Sequence, residues 1–269
     1  MLKDITLGQY FPGNSVIHRL DPRTKLVLLI VYIVALFLAV SWVSYGLMLV
    51  VLIACIFVSH VPVKAFFHGM KPLVFILIFT GLLNLLFTTG QGDPLVSFWI
   101  VHIYVEGIVR AILMVLRILM LITGTFLLTY TTSPIALTDG LESLLGPLKH
   151  IKVPVHELAM MMCIALRFIP TLIEETDKIM SAQKARGADF ESGSLMQRVK
   201  ALVPILVPLF ISAFRRADDL ATAMECRCYH GGEGRTKMKL LRYKRQDILA
   251  YGASVVVLAG VCVLRSFGL

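Results

Sequence analysis

The sequence predicts an all-α polytopic membrane protein, with about five transmembrane helices plus a cytosolic insert of long amphipathic helices. Three observations carry that reading. Of the 269 residues, 57% are hydrophobic and 16% charged, where a soluble domain has roughly 45–50% and about 25%. Mean hydropathy is +0.81. Apolar stretches close to the ~20 residues that cross a hydrocarbon core of ~30 Å recur along the chain. The net charge is nevertheless +9, and 17 of the 26 Lys and Arg residues fall in one segment, Thr131–Gln246. This balance excludes an ordinary cytosolic enzyme, a disordered tail and a secreted disulfide scaffold. The 19 Gly and 11 Pro are scattered, so collagen-like repeats are excluded too.

The spans can be taken in order. Leu26–Val43 carries no charge and follows Lys25 directly. Trp42–Ser59 comes next, so the turn near Trp42, Ser44 and Tyr45 must be tight, and its aromatic pair suits a membrane–water interface. Leu73–Thr89 opens after Lys71 and Pro72. Ile108–Thr129 carries Arg110 and Arg117, seven residues apart and hence on one helix face. A charge inside a span is costly and functional by default. Arg110 can snorkel to the interface, while Arg117 is deeper and faces protein. Ile248–Leu264 is the last span, short at 17 residues but uncharged. The polar, basic-flanked segment Met1–Lys25 does not read as a cleavable signal.

Short-loop Lys and Arg residues set the orientation. Lys3, Arg19, Arg23 and Lys25 precede the first span, and Lys64 and Lys71 lie between the second and third. The first turn and the loop Gly90–Gly107 have no basic residue, the latter only Asp93 and Glu106. The expected topology is a cytoplasmic N-terminus, a cytosolic insert and an extracellular C-terminus. Residues 1–130 then form an N-terminal membrane domain with four spans, 131–246 a cytosolic domain and 247–269 a final transmembrane helix. An odd number of cysteines, Cys55, Cys163, Cys226, Cys228 and Cys262, indicates no disulfide framework.

The insert is too long to be structureless. A short helix opens at Ser133 and Pro134, an N-cap followed by Pro at the first helical position, and runs to about Leu145. A second runs from near Pro154 to Arg186 and is closed by Gly187. Leu158, Met161, Ala165, Phe168, Leu172, Thr176 and Ile179 form its apolar stripe. A third runs from near Ser194 to about Arg227, with Val199, Leu202, Leu206, Leu209, Phe210 and Ala213 on one face. Pro170, Pro204 and Pro208 should kink or split these helices. Shifted by 41 residues, Asp177 meets Asp218, Ile179 meets Leu220, Ser181 meets Thr222, Ala182 meets Ala223 and Arg186 meets Arg227. The helices are either copies of one element or two unrelated stripes of similar composition. Each ends in an Arg between small residues, Ala185-Arg186-Gly187 and Cys226-Arg227-Cys228. The helix dipole favours such a cation, small flanks let the tip enter a groove, and a guanidinium there can pair bidentately with a carboxylate.

With these tips, the run His18-Arg19-Leu20-Asp21-Pro22-Arg23-Thr24-Lys25 and the span pattern, the chain resembles the EcfT family, transmembrane scaffolds of energy-coupling factor (ECF) transporters, over nearly its whole length. The resemblance implies that the insert helices are coupling helices. Their tips dock in grooves of two cytosolic ABC-type ATPase subunits, and the scaffold grips a substrate-binding membrane subunit for vitamin or metal micronutrient uptake. Arg186 and Arg227 would be the ATPase-coupling residues, flanked by Ala185, Gly187, Cys226 and Cys228. The two cysteines depart from the Ala, Gly or Ser usual around the second Arg, but they are still small. No cofactor is implied in this chain, since ATP binds the partner subunits.

Other constellations are weaker. Cys226, Cys228 and His230 lack a fourth zinc ligand and the usual spacing. His156-Glu157 begins like a zinc-protease helix, but Met160 stands where the second His is required. Gly231–Lys237 is Gly-rich without forming a phosphate loop. It reads as a linker to Lys237, Lys239, Arg242, Lys244 and Arg245, which suit the headgroups of the lipid bilayer better than nucleic acid. Met160, Met161 and Met162 offer an adaptable apolar surface. A membrane enzyme with a cytosolic-face site would need clustered acids or a nucleophile. Glu174-Glu175 and Asp218-Asp219 instead read as solvated pairs. A stand-alone secondary transporter would show paired membrane repeats.

Overall fold

The computed structural model describes residues 10–87, 96–98, 101–188, 190, 194–232 and 240–267. Lys3, the loop around Asp93, and Glu233–Lys239 with its basic residues lie outside them. The helices are α1 (Val16–Arg19), α2 (Pro22–Leu38), α3 (Trp42–Ser59), α4 (Val63–Met70), α5 (Val74–Phe87), α6 (Val105–Thr131), α7 (Pro134–Leu144), α8 (Val155–Ala185), α9 (Leu195–Glu225) and α10 (Arg245–Ser266). Turns of 3₁₀ helix, Lys71–Leu73 and Gly146–Ile151, precede α5 and follow α7. A small antiparallel hairpin pairs β1 (Val96–Phe98) with β2 (Val101–Ile103). The protein is thus an all-α polytopic membrane protein, apart from that hairpin.

The chain forms two compact units. One comprises Gly8–Leu141 with Leu241–Leu269, and the other contains Glu142–Leu240. Within the first, α2, α3, α6 and α10 share a core in which Leu36, Met48, Met120 and Val261 are fully buried. The sequence places the end of the first span at Val43; α2 instead stops at Leu38, and Ser41 caps α3 through the Ser44 N–H. The cause is that one cap must serve each helix start, and Ser41 is the residue able to supply it. The loop after α3 holds a helix of its own, α4. Its apolar periodicity is too short to stand out, yet Phe66 from it is buried against Tyr130 of α6.

Five helices meet the length and hydropathy of a membrane crossing: Trp42–Ser59, Val63–Phe87 (α4 joined to α5), Val105–Thr131, Val155–Ala185 and Arg245–Ser266. Pro22–Leu38 has 17 residues, about 26 Å of helix. Against the five expected spans, this set substitutes α8 for α2. The apolar part of α8 is its first half; Glu174, Glu175, Asp177, Lys178 and Lys184 fill the second. Pro170, Pro204 and Pro208 do not split their helices, since α8 and α9 each run unbroken for 31 residues.

The polar run before α2 is built into the first unit. Asp21 is the N-cap of α2, accepting from the Arg23 N–H and holding the Arg23 guanidinium bidentately at 3.0–3.1 Å. The Asp21 N–H donates at 2.9 Å to Asp247, which is fully buried and also accepts from the Lys244 N–H at 2.7 Å. Lys25, 6% exposed, donates to the Thr131 carbonyl and the Thr132 hydroxyl. A methyl group on Gly140 would meet Pro22 Cβ at 3.0 Å, so α7 lies against the same turn. One octapeptide therefore joins the start of α2, the start of α10 and the end of α6. Arg117 makes a comparable closure: it donates to the Ala39 carbonyl at 3.0 Å, with its guanidinium over the Phe37 and Tyr45 rings. It satisfies a carbonyl at the C-terminal end of α2, where the helix has no partner of its own.

Candidate functional site

The two arginine tips lie in the second unit. Arg186 is the C-cap of α8, and Arg227 follows Cys226, the C-cap of α9. Ala185, Arg186, Gly187, Cys226, Arg227 and Cys228 are all exposed. The two helix ends close by the same bonds in the same register. The N–H groups of 186, 187 and 188 donate to the carbonyls of 183, 184 and 183; those of 227, 228 and 229 donate to 224, 225 and 224. Every donor and acceptor of the second set is the first set's counterpart at a shift of 41. The six-to-one bond with a left-handed residue before its donor is the Schellman closure. Gly187, at φ 86°, supplies that residue in α8 and Cys228, at φ 56°, in α9. The shared register favours reading the two helices as copies.

The departure from glycine at Cys228 has a physical cost, since a side chain in the left-handed region loses roughly 1 kcal/mol. Cys228→Gly is therefore expected to tighten the last turn of α9. Amide exchange at Tyr229 should slow about fivefold. Unchanged or faster exchange would count against strain at this tip.

The helices touch through Glu175, a member of the pair read from sequence as solvated. Its carboxylate accepts from the Ser212 hydroxyl and, at 2.9 Å, from the Arg216 guanidinium. These bonds, the Ser212 one foremost, hold Glu175 below the ordinary carboxylate range. Residue 216 is the counterpart of 175 at the same shift of 41, so the two helices meet at matching points. No sequence signal marked Glu175, because its partners lie 37 and 41 residues away.

Much of the apolar stripe of both helices is uncovered. Met161 and Met162 on α8 are exposed, and so are Leu202, Leu206, Phe210 and Phe214 on α9. His156 contacts Glu142 at 2.9 Å, and a methyl group on Gly232 would meet the His156 ring at 2.6 Å, so the chain beyond the α9 tip returns to the start of α8. Among the described residues no group of three or more His, Cys, Asp or Glu is placed to hold a metal.

Comparison with known proteins identifies the family of the chain. The family CbiQ, cobalt transport protein, matches residues 13–238. The chain is 52% identical to the energy-coupling factor transporter transmembrane protein EcfT of Ruminiclostridium cellulolyticum, over 98% of both chains. It is 54% identical to EcfT of Clostridium kluyveri over 98% of this chain and 96% of that one. Identity to EcfT of Bacillus subtilis is 48%, over 99% and 100%. This chain therefore belongs to the CbiQ/EcfT family: it is the transmembrane component of an ECF transporter, a multi-pass membrane protein and one subunit of a larger complex.

Proposed function

We propose that the chain is the energy-coupling scaffold of an ECF-type importer, with no chemistry and no cofactor of its own. The tips Ala185-Arg186-Gly187 and Cys226-Arg227-Cys228 enter grooves of two cytosolic ABC-type ATPases, where ATP is bound and hydrolysed. Helices α8 and α9 pass the resulting movement to a substrate-binding membrane subunit for a vitamin or a metal micronutrient. The observation that carries this reading is the pair of exposed arginines on helix ends closed by identical bonds. The uncovered apolar residues of α8 and α9 supply a surface for the membrane subunit, and the methionines suit more than one partner.

In this reading 131–246 is the cytosolic coupling domain. The N-terminus is cytoplasmic and the C-terminus, beyond α10, extracellular. The charged second half of α8 lies outside the hydrocarbon, which makes α8 an amphipathic coupling helix rather than a span.

Affinity purification of the tagged chain from its native membrane tests the docking. Arg186→Glu and Arg227→Glu are each expected to lower the recovered ATPase about tenfold, less than the full cost of breaking one desolvated charge pair because the other tip still holds the ATPase pair. Full recovery with both single variants would overturn the docking role.

A further inference from the structure

The first unit contains a cavity of about 510 Å³ bounded by α1, α2, α3, α6 and α10 and lined almost wholly by apolar side chains. That volume lies within the range of small-molecule sites. It runs along α2 from Lys25 to Ala35, along α10 from Gln246 to Val257, and along α3 from Val58 back to Met48. Each stretch is eleven or twelve residues, about 16 Å of helix, or half of a ~30 Å hydrocarbon core. The cavity is thus one leaflet deep, whereas a partner's transmembrane helix would lie along the full thickness.

The end where the cavity starts is basic. Arg19 lies between the cavity-lining Ile17 and Leu20. Arg242, Lys244 and Arg245 lead into Gln246, and all four cations are exposed. The acids nearest in sequence, Asp21 and Asp247, are buried and bonded to backbone N–H groups, Asp21 also to Arg23. They leave the exposed charge at this end positive.

We propose that this cavity is a binding site for one anionic phospholipid of the surrounding membrane. One acyl chain lies between α2, α3 and α10, and the phosphate headgroup is held by Arg19, Arg242, Lys244 and Arg245. Basic residues beside a membrane span attract anionic headgroups electrostatically, and the buried methylenes add apolar binding. The lipid fills a space among four core helices without entering the arginine tips or the α8–α9 contact.

Native mass spectrometry of the purified chain and of the complete transporter, titrated with phosphatidylglycerol or phosphatidylcholine of identical acyl chains, tests this. Phosphatidylglycerol is expected to bind about tenfold more tightly. Ala253→Trp, which fills the cavity from α10, should remove binding of both lipids. The triple variant Arg242→Ala, Lys244→Ala, Arg245→Ala should shrink the preference to the share that Arg19 supplies but keep the weaker binding. If Ala253→Trp does not fold, Ala253→Leu should still weaken binding measurably. Equal retention of the two lipids by the unaltered chain, or unchanged binding after filling the cavity, overturns the proposal. So does retention by the isolated chain with loss in the complete transporter, which would assign the cavity to a partner's helix.

Discussion

Reversing both tip charges together, Arg186→Glu with Arg227→Glu, is expected to bring uptake to background, a loss of at least about hundredfold, with no ATPase recovered alongside the chain. Removing one partner of a buried, hydrogen-bonded charge pair costs roughly 2–5 kcal/mol, and each 1.4 kcal/mol is about tenfold in affinity. Each single variant leaves the other tip holding the ATPase pair at high effective concentration, so the double variant should lose more than either single result indicates. Arg186→Lys with Arg227→Lys should fall between, since lysine keeps the charge but not the planar fork. The backbone bonds that close both helices do not involve the guanidinium groups, so helix content should be unchanged by circular dichroism. Wild-type uptake in the double charge reversal would remove the tips from the mechanism.

Asp247→Ala should produce the largest loss of stability. Its carboxylate is fully buried and accepts from two backbone donors, Asp21 N–H and Lys244 N–H, which truncation would strand. A stranded buried donor costs about 1–3 kcal/mol; the Asp21 N–H is buried and the Lys244 N–H only partly so, so the pair amounts to roughly 2–4 kcal/mol. At a few degrees per kcal/mol the unfolding midpoint should drop by about 10 °C. Asp247→Asn keeps one acceptor and should lose about half as much. Asp218→Ala, on an exposed part of α9, is the control and should leave the midpoint unchanged. A midpoint for Asp247→Ala within about 2 °C of wild type would show that water replaces the lost bonds.

What could be read in the sequence follows from how far each partner lies along the chain. The Ser133 cap, the closure at Gly187 and the long helices of the insert rest on neighbours within a few residues, and they appear in the structure where periodicity and capping place them; four of the expected spans appear likewise, whereas α2 stops at Leu38, short of the expected Val43. Nothing near Asp247 in the sequence marks it, because its partner Asp21 is 226 residues away. Arg117 could be identified as deep and protein-facing, but not as the group that satisfies Ala39. Glu175 was misread because adjacent acids on a helix usually face water, and nothing local reveals Ser212 and Arg216. The tips were visible as residue types in a pattern. That Cys228 takes the strained conformation Gly187 takes freely emerges only from backbone angles.

The contact at Glu175 has a mechanical consequence. From Glu175 to Arg186, and from Arg216 to Arg227, the chain advances eleven residues, about 16 Å along each helix. The second unit therefore presents two lever arms of equal length that share one fulcrum, the bond between Glu175 and Arg216. Both arms start from counterpart residues at the shift of 41, and the two helices open and close like scissors about that bond. Tips displaced together carry the fulcrum with them and leave the scissor angle as it is. Tips displaced apart must open that angle, and the strain falls on the Glu175–Arg216 bond.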